Sequence, residues 1–577
     1  MSSKFVGAAK LGAAACSLWL LLKLLKRRRR APVFPPARPV EDVLRRGPRK
    51  AELPKVADAI IIGAGPSGLA LAVMLGRRGK RVVVFEQHDR AGGGLHTFTA
   101  EGFPEYEFEV GYHYAGELSK GKELRAIIDS LTGGEVEFAE LGDCPVEPGV
   151  YDKVVFQDDK YSFTVPCNRA AWLQSLQNEF PRERDGLDLY SNDLQRNGAS
   201  ALPFMIWRSL PSRLLKKCLT PLLAEPVARL STKAAEGLKK ITSDERLLAL
   251  LGYLSLGCTG VTLSEIDYRT VMGLHGHFSE GAQFPVGGPS AIAAAMVRQI
   301  ESHGGRVFVR ARVSSIMWQG NGAAKGVRLV KDNIEVEAPI VVSTIGLHAT
   351  TSLMGSCPSV EPLLKQMSPL SRTHGHIFGF VGINGNAEEL QLPRRNLWVL
   401  PGRNIEKCMA DFQKDPECPF GYVGIAFPST KDPSYDERHP GKSTCAMLAG
   451  DLPWEWFEAW ESTRVHHRGE DYDAFKKKFE LRLLNILYEN YPQLRGKVDY
   501  VDVGTPLDTN FYLGKTRGES YGLRQDLAKS EADFSWLASK PVVDHWPEGF
   551  YLAGQDITSD GFAPAIVSAL FAATAIE

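Results

Sequence analysis

Residues 59–86, AIIIGAGPSGLALAVMLGRRGKRVVVFE, decide the fold of this 577-residue chain. An apolar run is followed by the glycine turn GAGPSG (63–68), a helix-like stretch, a second apolar run and the acidic Glu86. This order of strand, glycine turn, helix, strand and terminal acid is that of a dinucleotide-binding βαβ unit. The segment therefore predicts an α/β fold that binds a dinucleotide.

Each glycine of the turn has a predicted role in holding a diphosphate. Gly63 permits the tight turn, Gly65 lets the backbone approach the pyrophosphate, and Gly68 lets the helix pack closely against the strand. The N–H groups at the start of the helix attract the phosphates. Glu86 is placed to accept hydrogen bonds from a ribose, and its charge disfavours a 2′-phosphate there. We predict that these four residues bind the cofactor.

The residues after Glu86 narrow the choice of cofactor. The sequence QHDRAGGG (87–94) follows, and its glycines let the backbone pass close to a long diphosphate cofactor. The spacing resembles the V-x-E-x-x-x-x-x-G-G extension of amine oxidases and phytoene desaturases. FAD is therefore predicted over NAD as the tightly held cofactor, with Gly93 and His96 as further contacts.

The end of the chain contains a second cofactor signal. The sequence GFYLAGQD (549–556) predicts a strand that runs into a Gly-x-Asp turn, and a helix of small residues (563–576) follows Gly561. In flavoproteins with two dinucleotide-binding units, such a segment closes the site, with the acid at the ribityl chain and the helix N-terminus at the flavin. We therefore predict that Gly554 and Asp556 contact the cofactor. The alternative is an ordinary αβ core element that carries an acid.

The pattern between these two signals predicts an insertion in the nucleotide-binding fold. Residues 187–274 are mostly helical in pattern, after which a helix (291–302) and a strand meander (313–337) follow. The strand 340–344 is predicted to lead back to the nucleotide. Val313 is a further cofactor candidate, because in this fold the strand after that helix passes the adenine.

The predicted fold is α/β: an FAD-binding Rossmann-like domain of the two-dinucleotide flavoprotein type, with an inserted mixed α/β substrate domain and an N-terminal membrane-anchoring helix. The predicted segments are an anchor with a basic flank (1–30), a linker (31–56), the first part of the FAD-binding domain (57–180), a helical region that faces substrate or membrane (181–280), the second part of the FAD-binding domain (281–350), the substrate domain (351–540) and the closing segment of the FAD-binding domain (541–577).

Composition argues against several classes of function. The chain has 68 basic and 68 acidic residues and a formal net charge of +0, so we predict no nucleic-acid partner. The nine cysteines form no C-x-x-C pair and no cluster with histidine at metal-ligand spacing, so we predict no metal site. No G-x-S-x-G, H-E-x-x-H or P-loop motif supports a hydrolase, a zincin or a P-loop enzyme. The oligomeric state stays open.

The N-terminus predicts attachment to a membrane. Residues 11–25 are apolar apart from Lys23, and the basic run KRRRR (26–30) follows. This stretch is shorter than the roughly 20 residues that span the hydrocarbon, so a spanning helix and an interfacial helix both stay open. The basic flank predicts that the folded body faces the cytosol. A basic, aromatic segment (204–230) fits either an interfacial helix or a core helix.

Motifs spread from about residue 57 to the C-terminus carry a family resemblance. They are AGGGLHTF (91–98), FEVGYHYAG (108–116), PVGGPS (285–290), TPLDTNFYLGKTRGESYG (505–522) and YLAGQDI (551–557). Together they resemble the retinol saturase family, within the carotenoid isomerase and phytoene desaturase group of flavoproteins.

The resemblance implies an FAD-dependent enzyme of the endoplasmic reticulum membrane that saturates a double bond of a conjugated polyene. The substrate would be a lipophilic retinoid or carotenoid, and the bond the 13,14 double bond of all-trans-retinol. Because no side chain donates hydride, the flavin must supply it. NAD(P)H is a candidate electron donor, although the chain has no convincing second G-x-G-x-x-G for it.

Candidates for a proton donor lie in two glycine-bounded segments. Tyr112 and His113 lie in a segment that the resemblance places near the flavin, and alternation predicts a strand over 110–114. Histidine and tyrosine can both act as general acids. A hydrogen-bonded structural role is the alternative for His113. Tyr521, beside Gly522, is the third catalytic candidate.

Two other functions share these motifs. A carotenoid or retinoid isomerase or desaturase would use the same cofactor, and product mass separates an isomerase from a reductase. Rab escort and GDP-dissociation-inhibitor proteins resemble this fold and carry prenylated GTPases without catalysis. Retention of Glu86 and of the 554–556 turn argues against such a binding protein.

Overall fold

The computed structural model describes residues 43–47, 53–201, 218, 232–532, 534–535, 539–541 and 545–576. The predicted anchor (1–30) lies outside these residues, as does most of the basic, aromatic segment (204–230). In the part of the chain that is described, no helix is both long enough and apolar enough to cross a membrane.

A five-stranded parallel sheet, here called the nucleotide sheet, forms around the opening βαβ segment. Its strands, in order across the sheet, are Phe550–Leu552, Val341–Ser343, Ala59–Ile62, Val82–Phe85 and Arg306–Phe308. The helix Pro66–Arg77 connects the third strand to the fourth and begins at a proline, whose missing N–H is not needed in the first turn. The two strands that it connects are buried along their whole length, which explains their continuous apolar sequence.

The nucleotide sheet joins distant parts of the chain. Val341–Ser343 pairs with Ala59–Ile62, so the predicted return of this strand to the nucleotide-binding unit is confirmed. The C-terminal helix Phe562–Ala575 packs on the helix Pro66–Arg77, with the hydroxyls of Ser67 and Ser568 3.2 Å apart. The predicted α/β nucleotide-binding fold is therefore confirmed.

The predicted helix and meander that follow the insertion are also confirmed. The helix spans Pro289–Ser302. The antiparallel strands of the meander are Val313–Trp318, Ala324–Leu329 and Glu335–Glu337. Val313 is the first residue of the first strand of this small sheet.

A seven-stranded sheet, here called the large sheet, forms the second layer of the molecule. Its strands, in order, are Val498–Gly504, Gly375–Asn384, Lys442–Leu452, Tyr422–Ala426, Asn396–Leu400, Val150–Phe156 and Ser162–Pro166. Phe479, Leu483 and Leu487 of the helix Glu470–Asn490 belong to its core. The last two strands come from the predicted first FAD-binding segment (57–180), so this segment contributes to both sheets.

Further helices and two-stranded pairs surround the two sheets. The other α-helices whose bounds lie in the described part of the chain are Glu123–Thr132, Arg169–Glu179, Arg184–Ala199, Ala234–Leu238, Glu245–Thr259, Tyr268–His277, Leu347–Met354, Val360–Met367, Ile405–Lys414, Pro428–Lys431, Tyr435–Arg438, Pro506–Leu513 and Leu527–Glu531. The two-stranded pairs are Thr97–Ala100 with Phe103–Glu109, Phe138–Glu140 with Gln283–Pro285, and Phe534–Ser535 with Lys540–Pro541.

The predicted strand over 110–114 is wrong. The strand Phe103–Glu109 ends at Glu109, and the following residues are irregular. The chain leaves the hairpin here because Gly116 approaches the helix Tyr268–His277, where its N–H donates to His277 Nε2. A Cβ at Gly116 would lie 2.0 Å from the His277 carbonyl oxygen, so only glycine permits this approach. The irregular segment brings Tyr112 and His113 to the site described next.

Candidate active site

Two cavities with volumes of about 440 and 470 Å³ lie side by side, and both are lined in part by strands of the large sheet. Strands of the nucleotide sheet also line the first cavity. The first cavity contains the glycine turn, and the second is bordered by the helix Tyr268–His277. Residues that line both cavities form what we call the shared wall: Gly111, Tyr112, His113, Tyr521, Gly561 and Phe562. The three predicted catalytic residues therefore all lie between the two cavities.

The first cavity gathers nearly all the predicted cofactor residues. Its lining includes Gly63, Gly65, Glu86, Gly93, His96, Val313, Gly554 and Asp556. Gly68 lies behind the turn, where a Cβ would be 2.1 Å from the carbonyl oxygen of Gly63. This close approach is the helix-to-strand packing predicted for Gly68.

The glycine turn forms a cradle that fits a diphosphate. A Cβ at Gly65 would meet no protein atom within 4 Å, whereas a Cβ at Gly93 would lie 3.0 Å from the Cα of Gly65. The backbones at Gly65 and Gly93 thus lie close together, while the side of Gly65 on which a Cβ would project is open to the cavity. The helix Pro66–Arg77 begins there without a side-chain cap, so its first N–H groups are available to an anion.

Glu86 is held at the edge of this cradle. Its carboxylate accepts hydrogen bonds from the N–H groups of Ala64, at 2.8 Å, and His88, at 2.9 Å. Each carboxylate oxygen can accept a second hydrogen bond, as the predicted contact with ribose hydroxyls requires. The role of Glu86 in cofactor binding stays a prediction.

Asp556 fixes the far side of the first cavity. Its carboxylate accepts hydrogen bonds from the N–H groups of Leu347, at 2.7 Å, and Leu523, at 2.9 Å. The residue is only 4% exposed, and Gly346 and Gly522 make room for its oxygens. Asp556 therefore connects its own segment to those of Leu347 and Leu523 at this cavity. This structural role was not part of the prediction, which gave Asp556 only a contact with the ribityl chain.

His96 is a neutral histidine next to the glycine pair. Its Nδ1 lies 2.8 Å from the carbonyl oxygen of Gly93, and its ring stacks on His88 with the centroids 5.0 Å apart. Burial, assisted by the nearby His88, lowers the pKa of His96 to about 4. At neutral pH the ring is therefore uncharged, and it could contact a flavin or a pyrophosphate only through hydrogen bonding or stacking.

On the shared wall, His113 has the geometry of an oriented histidine. Its Nδ1 lies 2.7 Å from Oε1 of Glu109, whose side chain is almost completely buried. The backbone carbonyl oxygen of His113 accepts a hydrogen bond of 2.8 Å from Nζ of Lys431. A carboxylate on Nδ1 fixes the tautomer and the ring orientation, which leaves Nε2 to exchange protons.

The two tyrosines of the shared wall differ in their hydroxyl groups. The hydroxyl of Tyr521 donates to the carbonyl oxygen of Gly257 at 2.6 Å. The hydroxyl of Tyr112 is buried and has no hydrogen-bond partner among the described residues. Burial raises the pKa of both side chains. Because the proton of Tyr521 is already engaged, His113 and Tyr112 are the better-placed proton donors.

A buried charged network that sequence analysis did not predict lies next to His113. Lys431 is completely buried and also donates to Oδ1 of Asn396, and burial lowers its pKa to about 8. Asp152 accepts hydrogen bonds from the hydroxyls of Tyr114 and Tyr253, and burial raises its pKa to about 7. Nothing in the local sequence distinguishes these two charged residues from surface residues.

A second missed pair, Lys529 and Asp560, lines the second cavity. Lys529 Nζ lies 2.8 Å from Asp560 Oδ1 in a buried ion pair. One signal was present in the sequence, since Asp560 lies between Asp556 and Gly561, which were both singled out.

Comparison with known proteins places this site in a family. The NAD(P)-binding Rossmann-like domain family matches residues 61–131. The chain is 33% identical over 549 residues to the all-trans-retinol 13,14-reductase of Danio rerio, covering 92% of this chain and 87% of the relative. It is 32% identical over 564 residues to the Homo sapiens protein of the same name, covering 94% and 90%.

Solved structures support the same fold. Cyclohexylamine oxidase from Brevibacterium oxydans superposes with a TM-score of 0.55 and 15% sequence identity, covering 90% of this chain and 97% of the oxidase. At this level of identity, the likeness concerns the fold alone.

Proposed function

The chain belongs to the all-trans-retinol 13,14-reductase family, and from that membership we propose that it is an FAD-dependent reductase that saturates the 13,14 double bond of all-trans-retinol. The observation that carries the proposal is the shared wall, where the candidate proton donors separate a cradle for a dinucleotide from a second cavity. A binding protein without catalysis would not need both cavities to meet at oriented acid–base groups.

The residues of the first cavity fit FAD. The open side of Gly65 and the uncapped helix N-terminus suit the diphosphate, and Glu86 suits a ribose. A second uncapped helix, Phe562–Ala575, begins at the shared wall and offers its N-terminus to the electron-rich end of the flavin ring. A bound flavin supplies the hydride that no side chain can donate.

The second cavity fits a lipophilic polyene. Apolar and aromatic side chains in its lining include Leu274, Phe278, Trp398, Phe562 and Val567. Such side chains lower the free energy of a long hydrocarbon by removing it from water.

We assign the proton-donor role to His113. Saturation of a double bond adds a hydride to one carbon and a proton to its neighbour. Glu109 orients the imidazole, and Lys431 fixes the backbone of the same residue from the other side. The reaction consumes two electrons and two protons, and a donor outside this chain, for which NAD(P)H is the candidate, must supply the electrons.

We also propose that the enzyme works at the endoplasmic reticulum membrane, with its folded body on the cytosolic face. The apolar residues 11–25 and the basic run 26–30 support this location, as does a substrate that is nearly insoluble in water. Cell fractionation and protease protection of a tagged full-length chain test it. Protection of the folded body by sealed microsomes would contradict the orientation.

A spectrum and a product analysis test the proposed function together. The purified full-length protein should show flavin absorption near about 450 nm and release FAD on denaturation. Incubation with a reductant and all-trans-retinol should give a product heavier by two hydrogens. A product of unchanged mass would favour the isomerase, and a protein that binds no FAD after reconstitution would exclude both enzymes.

A further inference from the structure

A small polar patch borders the second cavity beside the shared wall. It consists of Gln525, Lys529 and Asp560, and Asp560 directly precedes Gly561 of the shared wall. The side chains of Lys529 and Asp560 are 3% and 0% exposed and form an ion pair. The patch thus combines strong polarity with a net charge near zero.

Two acceptor oxygens of the patch lack donors. Oδ2 of Asp560 and Oε1 of Gln525 are buried and have no hydrogen-bond partner among the described residues. Buried polar atoms are almost always hydrogen-bonded, because an unpaired one loses its hydration without compensation. Two such oxygens on residues that line one cavity therefore indicate a ligand that donates hydrogen bonds.

The cations around the patch are already engaged. Lys529 Nζ donates to Asp560 and to the carbonyl oxygen of Leu523, at 3.2 Å. Arg269, another cation of the cavity lining, donates to the hydroxyl of Ser200. An alcohol can donate to the unpaired oxygens, whereas a carboxylate has no proton to donate at neutral pH and would face the charge of Asp560.

The patch also has a defined position along the second cavity. The helix Tyr268–His277 borders this cavity, and its N-cap residue Asp267 accepts a hydrogen bond of 2.7 Å from the hydroxyl of Ser530, next to Lys529. At the other end of the helix, His277 pairs with Glu117. Ten helical residues rise by about 15 Å, so the polar groups at the two ends of this helix lie well apart along the cavity.

We propose that Gln525, Lys529 and Asp560 bind the hydroxyl group of the substrate and thereby select the double bond that reaches the shared wall. In all-trans-retinol, the 13,14 double bond is adjacent to the carbon that bears the hydroxyl. A hydroxyl at the patch leaves this bond beside His113 and lets the rest of the polyene extend along the helix. The inference rests on the proposed function, which supplies the substrate.

Binding of three ligands to the FAD-loaded protein tests the patch without turnover. All-trans-retinol should bind roughly tenfold more tightly than retinyl methyl ether, which keeps the chain but cannot donate a hydrogen bond. All-trans-retinoic acid should bind more weakly than retinol. Quenching of protein fluorescence gives the three dissociation constants. Equal affinities for alcohol and ether would overturn the proposal.

Gln525→Leu is the matched variant, because leucine has a similar size and removes one unpaired acceptor. It should weaken retinol binding roughly five- to tenfold and leave the ether unchanged. Glu117→Gln, which removes the carboxylate paired with His277 at the opposite end of the helix from Asp267, should keep the wild-type ratio of alcohol to ether affinity. An unchanged ratio in the leucine variant would count against the patch.

The double variant Lys529→Met/Asp560→Leu removes both charges together. Removal of both partners destabilises a fold less than removal of one, because it leaves no unpaired buried charge. It should bring the affinity ratio near one, and NMR of the reduced products should show saturation at other double bonds. Reduction of the 13,14 bond alone would refute the selecting role. If the wild-type protein binds retinol more tightly than the ether but reduces no retinoid, the proposed function is wrong and the hydroxyl-binding site is supported.

Discussion

The substitution Gly65→Ala separates cofactor binding from folding. Gly65 has extended backbone angles, φ −75° and ψ 179°, which alanine adopts freely. The added Cβ meets no protein atom within 4 Å, so we expect the free energy of unfolding of the apoprotein to change by less than about 0.5 kcal/mol. The same methyl group projects into the first cavity, where the diphosphate is proposed to lie.

The expected loss of affinity follows from the hydrogen bonds at this turn. A methyl group between the backbone and a phosphate would displace at least one N–H from its charge-assisted hydrogen bond, worth about 1.5–3 kcal/mol. Since 1.4 kcal/mol is a tenfold change, the dissociation constant for FAD should rise roughly 10- to 100-fold. The effect on folding and the effect on cofactor affinity thus differ clearly in size.

Titration of the apoprotein with FAD, followed by flavin fluorescence, measures the affinity, and thermal unfolding without FAD measures the stability. Gly198→Ala is the control, since this glycine also has no atom within 4 Å of an added Cβ but lies on the helix Arg184–Ala199 outside the first cavity. Wild-type FAD affinity in the Gly65→Ala variant would refute the diphosphate cradle.

Three further predictions concern folding, catalysis and pH. Gly68→Ala should destabilise the apoprotein by about 2–4 kcal/mol, because its Cβ would lie 2.1 Å from the Gly63 carbonyl oxygen; an unfolding midpoint equal to that of the wild type would contradict this packing. His113→Gln should lower kcat roughly 10²- to 10³-fold with little change in FAD affinity, and Glu109→Gln should lower it less while shifting the pH profile; an unchanged kcat in His113→Gln would remove this residue as proton donor. His376 is a buried residue of the strand Gly375–Asn384, and its Nε2 lies 2.8 Å from the hydroxyl oxygen of Tyr422. Burial lowers the pKa of His376 to about 4, so the unfolded chain binds its proton first as the pH falls, and the free energy of unfolding should decrease by about 2 kcal/mol between pH 7 and 5 through this residue. Urea unfolding at both pH values should show a smaller decrease for His376→Gln than for the wild type, and an equal decrease would contradict the assignment.

The sequence predicted those parts of the site that depend on local backbone geometry. The glycine turn, the acid after the second strand and the closing turn at 554–556 all belong to short segments whose spacing reflects the shape of a dinucleotide. These segments lie together in the first cavity because the parallel strands meet at one edge of the nucleotide sheet. Short local motifs were therefore sufficient to predict that these segments belong to the cofactor site.

The surroundings of His113 and the large sheet could not be predicted in the same way. The burial of Lys431 depends on Asn396 and on His113, which is 318 residues away. The strand at 150–156 pairs with residues 396–400 of the large sheet and carries the strand at 162–166 with it, so the place of both depends on a partner far along the chain. The strand predicted over 110–114 failed because the approach of Gly116 to a helix overrides local alternation. Long-range contacts, absent from local patterns, position this half of the site.

A single-turnover experiment tests the central claim most directly. The FAD-loaded protein is reduced under anaerobic conditions, freed of excess reductant and mixed with one equivalent of all-trans-retinol, and both the flavin spectrum and the product are followed. We predict that the flavin reoxidises as one equivalent of 13,14-dihydroretinol, heavier than the substrate by two hydrogens, is formed. A flavin that stays reduced while retinol is recovered unchanged or only isomerised would contradict the claim.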